Sequence, residues 1–224
     1  LFVSELLFNI KQNLEFNPQL FDDIEVLIYD DNSNEDTLKV LKSYEHLFNI
    51  TYNKKLNGTP AIGRNEMIRN SKSKYILFMD GDDNFICTLK ELVEELRYKD
   101  YDYIISSVRK IFNDGKIIDS PFIYDKKLFS CSESTFDKIK QKLVVHQTGI
   151  WSIYRVDFLL NNNLFYNENI RYEDNLFLTN ILLSKPRVVR ILTSYYGWRK
   201  NMSSFTSESD SNESRIDLYK EILK

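Results

Sequence analysis

The sequence predicts an α/β domain in which a largely parallel sheet is covered by helices. Two apolar runs, Ile24 to Tyr29 and Tyr75 to Met79, are too short for helices and read as buried strands. Helical segments follow each of them, and strand–helix alternation is the pattern of a parallel sheet. Both runs also stop abruptly at carboxylates, Asp30-Asp31 in one case and Asp80-Gly81-Asp82-Asp83 in the other.

Taken in order, Phe2 to Phe16 has apolar residues at helical spacing, and Pro18 ends that helix. The strand Ile24 to Tyr29 feeds the turn Asp30-Asp31-Asn32-Ser33. A helix from Asp36 to Tyr44 and a strand near Ile50 to Asn53 come next. Gly58-Thr59-Pro60 opens a helix to about Ser71, with the proline in the first turn, where its missing N–H costs nothing. After the strand Tyr75 to Met79, a helix spans Leu89 to Tyr98. Tyr103 to Phe112 and Lys116 to Ile118 flank Asn113-Asp114-Gly115, a hairpin turn. An amphipathic piece lies near Phe136 to Leu143. A strand near Ile150 to Tyr154 leads into a helix from Val156 to Leu160, broken by Asn161-Asn162-Asn163. A helix from Asp174 to Leu183 stops before Pro186. Strands near Val188 to Leu192 and Ser194 to Trp198, a polar stretch Ser203 to Ser214 and a helix from Arg215 complete the chain. With neither a repeat nor a domain boundary in sight, residues 1–224 read as one domain, divided into halves 1–100 and 101–224.

The 224 residues carry 30 Lys+Arg against 33 Asp+Glu, a formal charge of −3, so the basic surplus of a nucleic-acid-wrapping protein is missing. Aromatic residues make up 14% of the chain, which excludes a disordered composition. Cys87 and Cys131 are too few for a disulfide framework and point to a reducing compartment. No apolar run approaches the roughly 18 residues of a membrane span.

In an open parallel sheet the ligand crevice lies beyond the carboxyl ends of the strands. Asp30, Asp31, Asp80, Asp82 and Asp83 are therefore expected at one rim, where their mutual repulsion calls for a cation or a hydrogen-bonding ligand. Oxygen-only donors suit Mg²⁺ or Mn²⁺. Turn chemistry alone also explains Asp and Asn after Tyr29, but three carboxylates in four residues exceed what a turn needs. An EF-hand loop starting at Asp80 is excluded, because its sixth position is Phe85 where glycine is required and a strand leads into it. A phosphatase using Asp80 as nucleophile would want a hydroxyl residue soon after Asp82, and Asp83-Asn84 supplies none.

These residues carry a family pattern. Glu25 to Ser33 resembles a strand ending in Asp-Asp-Gly-Ser. Asn57-Gly58, Arg64-Asn65 and Tyr75 to Asp83 resemble Asn-x-Gly, Ala-Arg-Asn and a DxD-containing stretch. Glu173-Asp174 resembles an acidic pair opening a helix, and Tyr195 to Arg199 with Ser203-Ser204 resembles a closing Tyr-x-x-Arg…Ser segment. In this order the motifs resemble glycosyltransferase family 2, with the GT-A fold, of bacterial cell-surface polysaccharide synthesis. One departure is that the family's opening Val-Ser-Val-Ile-type strand has no counterpart here. It would lie mid-sheet, so the chain is expected to be part of a longer protein.

The resemblance implies a Rossmann-like, mixed, mostly parallel sheet, with a nucleotide-sugar half (1–100) and an acceptor half (101–224). Asp82 would ligate Mn²⁺ or Mg²⁺, with Asp80 near the ribose or metal and Asp83 close by. Asp30 and Asp31 would face the donor, Asp31 accepting from a uracil N–H. Arg64 and Arg199 would meet the donor's phosphate or ribose oxygens. The alternatives are a solvated helix charge for Arg64 and an ion pair with Glu208 or Asp210 for Arg199. Asp174, beside Glu173, would be the base that deprotonates the acceptor, against an alternative of plain helix capping. One base without a protein nucleophile implies inversion. The implied partners are a nucleotide-sugar, such as a UDP-sugar, and a glycan or lipid-linked acceptor, with no nucleic acid. The implied place is the cytoplasm, with peripheral contact at the inner membrane face. His146 is a weaker candidate for acceptor or metal contact. Trp151 and Trp198 are sugar-stacking candidates that more often belong to a core, and His46 is expected in solvent. A catalytically silent nucleotide- or glycan-binding module of the same fold is the competing expectation. A nucleotidyltransferase would need a Gly-rich basic loop, and none is visible.

Overall fold

The protein is described by a computed structural model covering residues 2–53, 59–112, 115–119, 150–191 and 193–199. Its order is α1 (Phe2–Phe16), a 3₁₀ turn (Pro18–Phe21), β1 (Leu27–Asp31), α2 (Glu35–Lys42), β2 (Asn49–Asn53) and α3 (Ala61–Asn70). β3 (Tyr75–Leu77), β4 (Asn84–Phe85), α4 (Leu89–Arg97), β5 (Tyr103–Ile105), β6 (Val108–Ile111) and β7 (Ile117–Asp119) follow. β8 (Ser152–Arg155), α5 (Val156–Asn161), α6 (Glu173–Leu183), β9 (Val188–Arg190) and β10 (Tyr196–Arg199) complete it.

Local chemistry sets several of these boundaries. Asn34 caps α2 by accepting from the Thr37 N–H, and Thr88 with Glu91 forms a reciprocal capping box at α4. α1 turns Leu6, Leu7, Ile10 and Leu14 inward at helical spacing, each worth about 1.5–3 kcal/mol when buried. Gly63 on α3 faces the ring of Tyr29, where a Cβ would come within 2.6 Å, so only glycine lets α3 lie this close to β1.

The strands form three sheets: β1-β2, β3-β8-β5-β9 and β4-β10-β6-β7. The parallel pairs are β1–β2, β5–β9 and β6–β10. The other four, β3–β8, β5–β8, β4–β10 and β6–β7, are antiparallel. The expected sheet is thus mixed but not mostly parallel among the described residues. β8 enters between β3 and β5 in the opposite sense and displaces the direct parallel contact that strand–helix alternation predicts.

Three further corrections concern the elements. The stretch Tyr103 to Phe112 is two strands in two sheets, because Ser106 leaves the first ladder and its Oγ donates to the Thr193 carbonyl at 2.7 Å. β1 begins and ends later than expected, so Asp30 and Asp31 belong to the strand, paired with Tyr52 and Asn53 of β2. Asn84–Phe85 is an extra strand held against β10. The hairpin residues Asn113-Asp114, the piece Phe136 to Leu143, and everything after Arg199 lie outside the described residues.

Among the described residues, β1 pairs with β2 alone and β3 with β8 alone. A cavity of about 840 Å³ lies between them, lined along consecutive residues of both strands and roofed by apolar side chains of α1 and α4. Its rim carries the strand-end carboxylates. No helix among the described residues is long and apolar enough to cross a membrane.

Candidate active site

Arg64 lies at the centre of the site. α3 presents it 6% exposed, with its guanidinium carbon 5.3 Å from the centroid of the Tyr166 ring. Nη2 donates to Asp80 Oδ1 at 2.9 Å, and Nη1 donates to Glu173 Oε1 at 3.0 Å. The planar fork of arginine suits this double duty in a way a lysine ammonium does not. Burial alone would lower its pKa, but Asp80, Tyr166 and Glu173 together raise it, so Arg64 is a permanent cation. The alternative of a solvated helix charge is excluded for this residue. Next to it on α3, Asn65 donates to the Tyr166 carbonyl at 2.9 Å and accepts from the Tyr166 N–H at 2.8 Å, which fixes the loop leading to α6.

Glu173 and Asp174 open α6 behind Tyr172, whose φ of 64° places a bulky residue in the left-handed region. Such strain costs about 1–3 kcal/mol and collects at functional sites. The two acids differ. Glu173 is locked to Arg64, its side chain 12% exposed. Asp174 has its carboxyl pushed up to about 6, first by burial and then by the Glu173 charge, while Arg64 and the Asn175 N–H hold it down. A carboxylate in that range is still ionised at neutral pH and basic enough to take a proton.

The strand-end carboxylates form the facing wall. Asp30 is buried and accepts from the Ser33 N–H at 3.3 Å, with Asn32 left-handed at φ 60° between them. Asp31 accepts from Asn53 Nδ2 at 3.1 Å. After β3, a backbone bond from Asp83 N–H to Asp80 O at 3.0 Å closes the acidic turn. Asp80 and Asp82 lie on the cavity rim with Asp30, Asp31 and Arg64, and Asp82 is exposed.

Asp83 differs from Asp82 in its surroundings. It is 3% exposed. Tyr196 O–H donates to Oδ2 at 2.5 Å and the Arg199 N–H donates to Oδ1 at 2.7 Å. Burial pushes its carboxyl up to about 7; the two donors oppose the shift, and Asp80 and Asp82 add to it. Arg199 in turn donates from Nε to the Asp82 carbonyl at 3.0 Å, and its Nη2 lies 2.9 Å from Glu5 Oε1 on α1. The expected alternatives for Arg199, Glu208 and Asp210, lie outside the described residues, as do Asn57-Gly58, His146 and Ser203-Ser204.

No group of three or more His, Cys, Asp or Glu among the described residues is arranged to hold a metal ion by itself. Mg²⁺ and Mn²⁺ do not require one, since such ions commonly use one or two carboxylates plus substrate phosphates. Asp82 and Asp80 are hard oxygen donors of that kind. Trp151 is 6% exposed and packs in the core at a tilt against Trp198, with centroids 5.6 Å apart and planes at 43°, which is the core placement of the two alternatives. His46 is exposed, as expected. Glu5 and Tyr166 have no distinguishing motif in the sequence and only their partners identify them, whereas Tyr196 lies in the Tyr195 to Arg199 segment but its bond to Asp83 is not legible there.

Comparison with known proteins gives the family and the fold. Residues 5–161 match the family described as Glycosyl transferase family 2. A poly(ribitol-phosphate) beta-N-acetylglucosaminyltransferase, TarP of Staphylococcus aureus (strain N315), is 30% identical over 161 residues, covering 62% of this chain and 49% of TarP. The chain thus spans about half the length of that relative. Residues 1–349 of S. aureus TarS, solved with UDP-GlcNAc, superpose with a TM-score of 0.73 at 20% identity, covering 99% of this chain and 63% of that one. A mannosyltransferase of Pyrobaculum calidifontis, PcManGT, solved with GDP-Man and Mn²⁺, gives 0.60 at 14%, covering 91% and 54%. The fold is the GT-A-like α/β architecture of these structures, and the chain belongs to glycosyltransferase family 2.

Proposed function

We propose that the protein transfers a sugar from a UDP-sugar to a hydroxyl of a cell-wall glycan of the teichoic-acid kind, with inversion at the anomeric carbon. UDP-GlcNAc and poly(ribitol phosphate) are the pair suggested by the names of TarP and the TarS complex. The observation that carries the reading is Arg64, which ties the acidic turn after β3 to the Glu173-Asp174 pair across a single cleft.

In this reading Asp31 faces the uracil and Asp30 shapes the turn beneath it. Asp82, with Asp80, would hold Mn²⁺ or Mg²⁺, and the cation would supply charge stabilisation for the departing nucleoside diphosphate. Arg199 meets the diphosphate from the β10 side. Asp174 takes the proton of the acceptor hydroxyl as that oxygen bonds to the anomeric carbon, while the bond from this carbon to the diphosphate oxygen breaks and its electron pair leaves with the UDP. Glu173 stays bound to Arg64 and keeps the helix start in place. Retention would need a nucleophile on the opposite side of the sugar, and no residue is assigned that role.

The 840 Å³ cavity between β1 and β3 supports a further part of the proposal: a strand of the whole protein runs there.

The test is transfer from UDP-GlcNAc to poly(ribitol phosphate) by the full-length protein, with the anomeric configuration of the product read by NMR. Inverted product that disappears in EDTA supports the proposal. A retained configuration, or donor binding without turnover on any wall glycan, would sink it.

A further inference from the structure

We infer that Asp83 is a positioning residue, a buried latch that holds Arg199 beside Asp82, and not a ligand of the cation. The inference rests on the proposed donor site and names a part of it that the acidic motif conceals.

Three observations lead to it. Asp83 is 3% exposed and sits on the inner side of the turn, whereas Asp82 faces solvent. Each of its oxygens already accepts a short hydrogen bond from β10, one from Tyr196 O–H and one from the Arg199 backbone. The same two β10 residues reach the rest of the turn, since Tyr196 Oη lies 3.5 Å from the Asp80 N–H and Arg199 Nε donates to the Asp82 carbonyl at 3.0 Å.

β10 comes this close because of Gly197. It pairs with Asn84, and a Cβ on it would meet Ile86 Cγ2 at 2.7 Å and the Asn84 carbonyl at 3.0 Å. Two residues along, Arg199 emerges beside Asp82, and its Nη2 lies 2.9 Å from Glu5 Oε1 of α1 as an ion pair without hydrogen-bond geometry. Asp83 therefore joins two elements more than 100 residues apart in sequence. It aligns the guanidinium of Arg199 with the carboxylate of Asp82, one to meet the donor's phosphates directly and the other through the cation.

The experiment measures two properties of the intact chain. Calorimetric titration with UDP-GlcNAc is run at fixed and at varied Mn²⁺ for Asp83→Asn, Asp82→Asn, Arg199→Ala and the pair Asp83→Asn/Arg199→Ala. Asn at 83 keeps one acceptor but sets an amide donor against a donor, so donor affinity falls roughly tenfold. That loss should be absent once Arg199 has been truncated, and the Mn²⁺ concentration for half-saturation should stay within about twofold. A tenfold rise in that Mn²⁺ requirement, as expected for Asp82→Asn, or a loss that simply adds to that of Arg199→Ala, overturns the inference. Where Asp83→Asn does not fold, Tyr196→Phe takes its place, removing the Oδ2 bond together with the long contact to the Asp80 N–H. Hydrogen exchange at the Arg199 amide needs no ligand. It should speed up in Asp83→Asn and stay slow in Asp82→Asn, and unchanged exchange in Asp83→Asn would overturn the latch. If wild-type protein binds no nucleotide-sugar, the donor site fails, while the exchange measurement still decides the latch.

Discussion

Replacing Arg64 by Met tests the bridge on which the site is built. Methionine fills similar space against Tyr166 but cannot bond Asp80 or Glu173. The side chains of Arg64 and Glu173 are 7% and 12% exposed, so the lost pair leaves a nearly buried carboxylate uncompensated. Breaking such a pair costs about 3–5 kcal/mol. The Asp80 arm adds little, because its side chain is 39% exposed and screened by water. For a chain of 224 residues, each kcal/mol shifts the melting midpoint by about 2–4 °C, so Arg64→Met should melt roughly 6–20 °C lower. Thermal unfolding followed by circular dichroism reads this directly. Adding Glu173→Gln removes the stranded charge and should recover about 0.5–3 kcal/mol as coupling. The reasoning fails if Arg64→Met melts within 2 °C of wild type, or if the two substitutions are simply additive.

Other predictions concern proton transfer and packing. Asp174→Asn should reduce transfer by about 10²–10⁴-fold with donor affinity kept, and radiolabelled transfer beside calorimetric binding separates the two effects. With its carboxyl near 6, Asp174 should give kcat/KM an acid limb, half-maximal near pH 6 and about one-eleventh at pH 5; a profile flat to pH 5 would remove it as the base. The same shift carries a stability sign. The folded state holds the Asp174 proton more tightly than the unfolded chain, so this group's contribution is full below about pH 4 and is lost as pH rises to about 6. Asp174→Asn should therefore melt higher than wild type at pH 7.5, and a lower midpoint would contradict the burial that raises it. Gly197→Ala should loosen β10 from β4, lowering the midpoint and donor affinity together; a silent substitution would show that the close approach is not needed. A longer chain that supplies a strand between β1 and β3 should melt higher than residues 1–224, and an equal midpoint would argue against the slot.

Much of the fold was legible because burial imposes a pattern. The apolar runs at Ile24 to Tyr29 and Tyr75 to Met79 read as strands, and β1 and β3 fall on them, although all their side chains but Phe78 are half-buried where they line the cavity. Strand direction was not legible, since a parallel and an antiparallel strand bury the same residues; β8 illustrates this with its apolar Ile153 and Tyr154. Nor was the break at Ser106–Ser107, where a side-chain bond to Thr193 ends a run that otherwise reads as continuous strand. At the site, the acidic turn and the Glu173-Asp174 pair stand out by local density of charge. The contacts that give each acid its part do not, because Arg64 reaches Glu173 across 109 residues and Asp83 reaches Tyr196 across 113. Short motifs indicate where carboxylates gather, and only the packing separates the exposed Asp82 from the buried Asp83 beside it.

The central claim is that Asp82 and the facing rim form one site for a cation and a nucleoside diphosphate. Titrating the full-length protein with UDP-GlcNAc, with and without Mn²⁺, in wild type and in Asp82→Asn, tests it most directly. The account predicts binding that needs Mn²⁺ and weakens at least tenfold in the variant. Equal affinity in EDTA, or an Asp82→Asn titration that matches wild type, would contradict it.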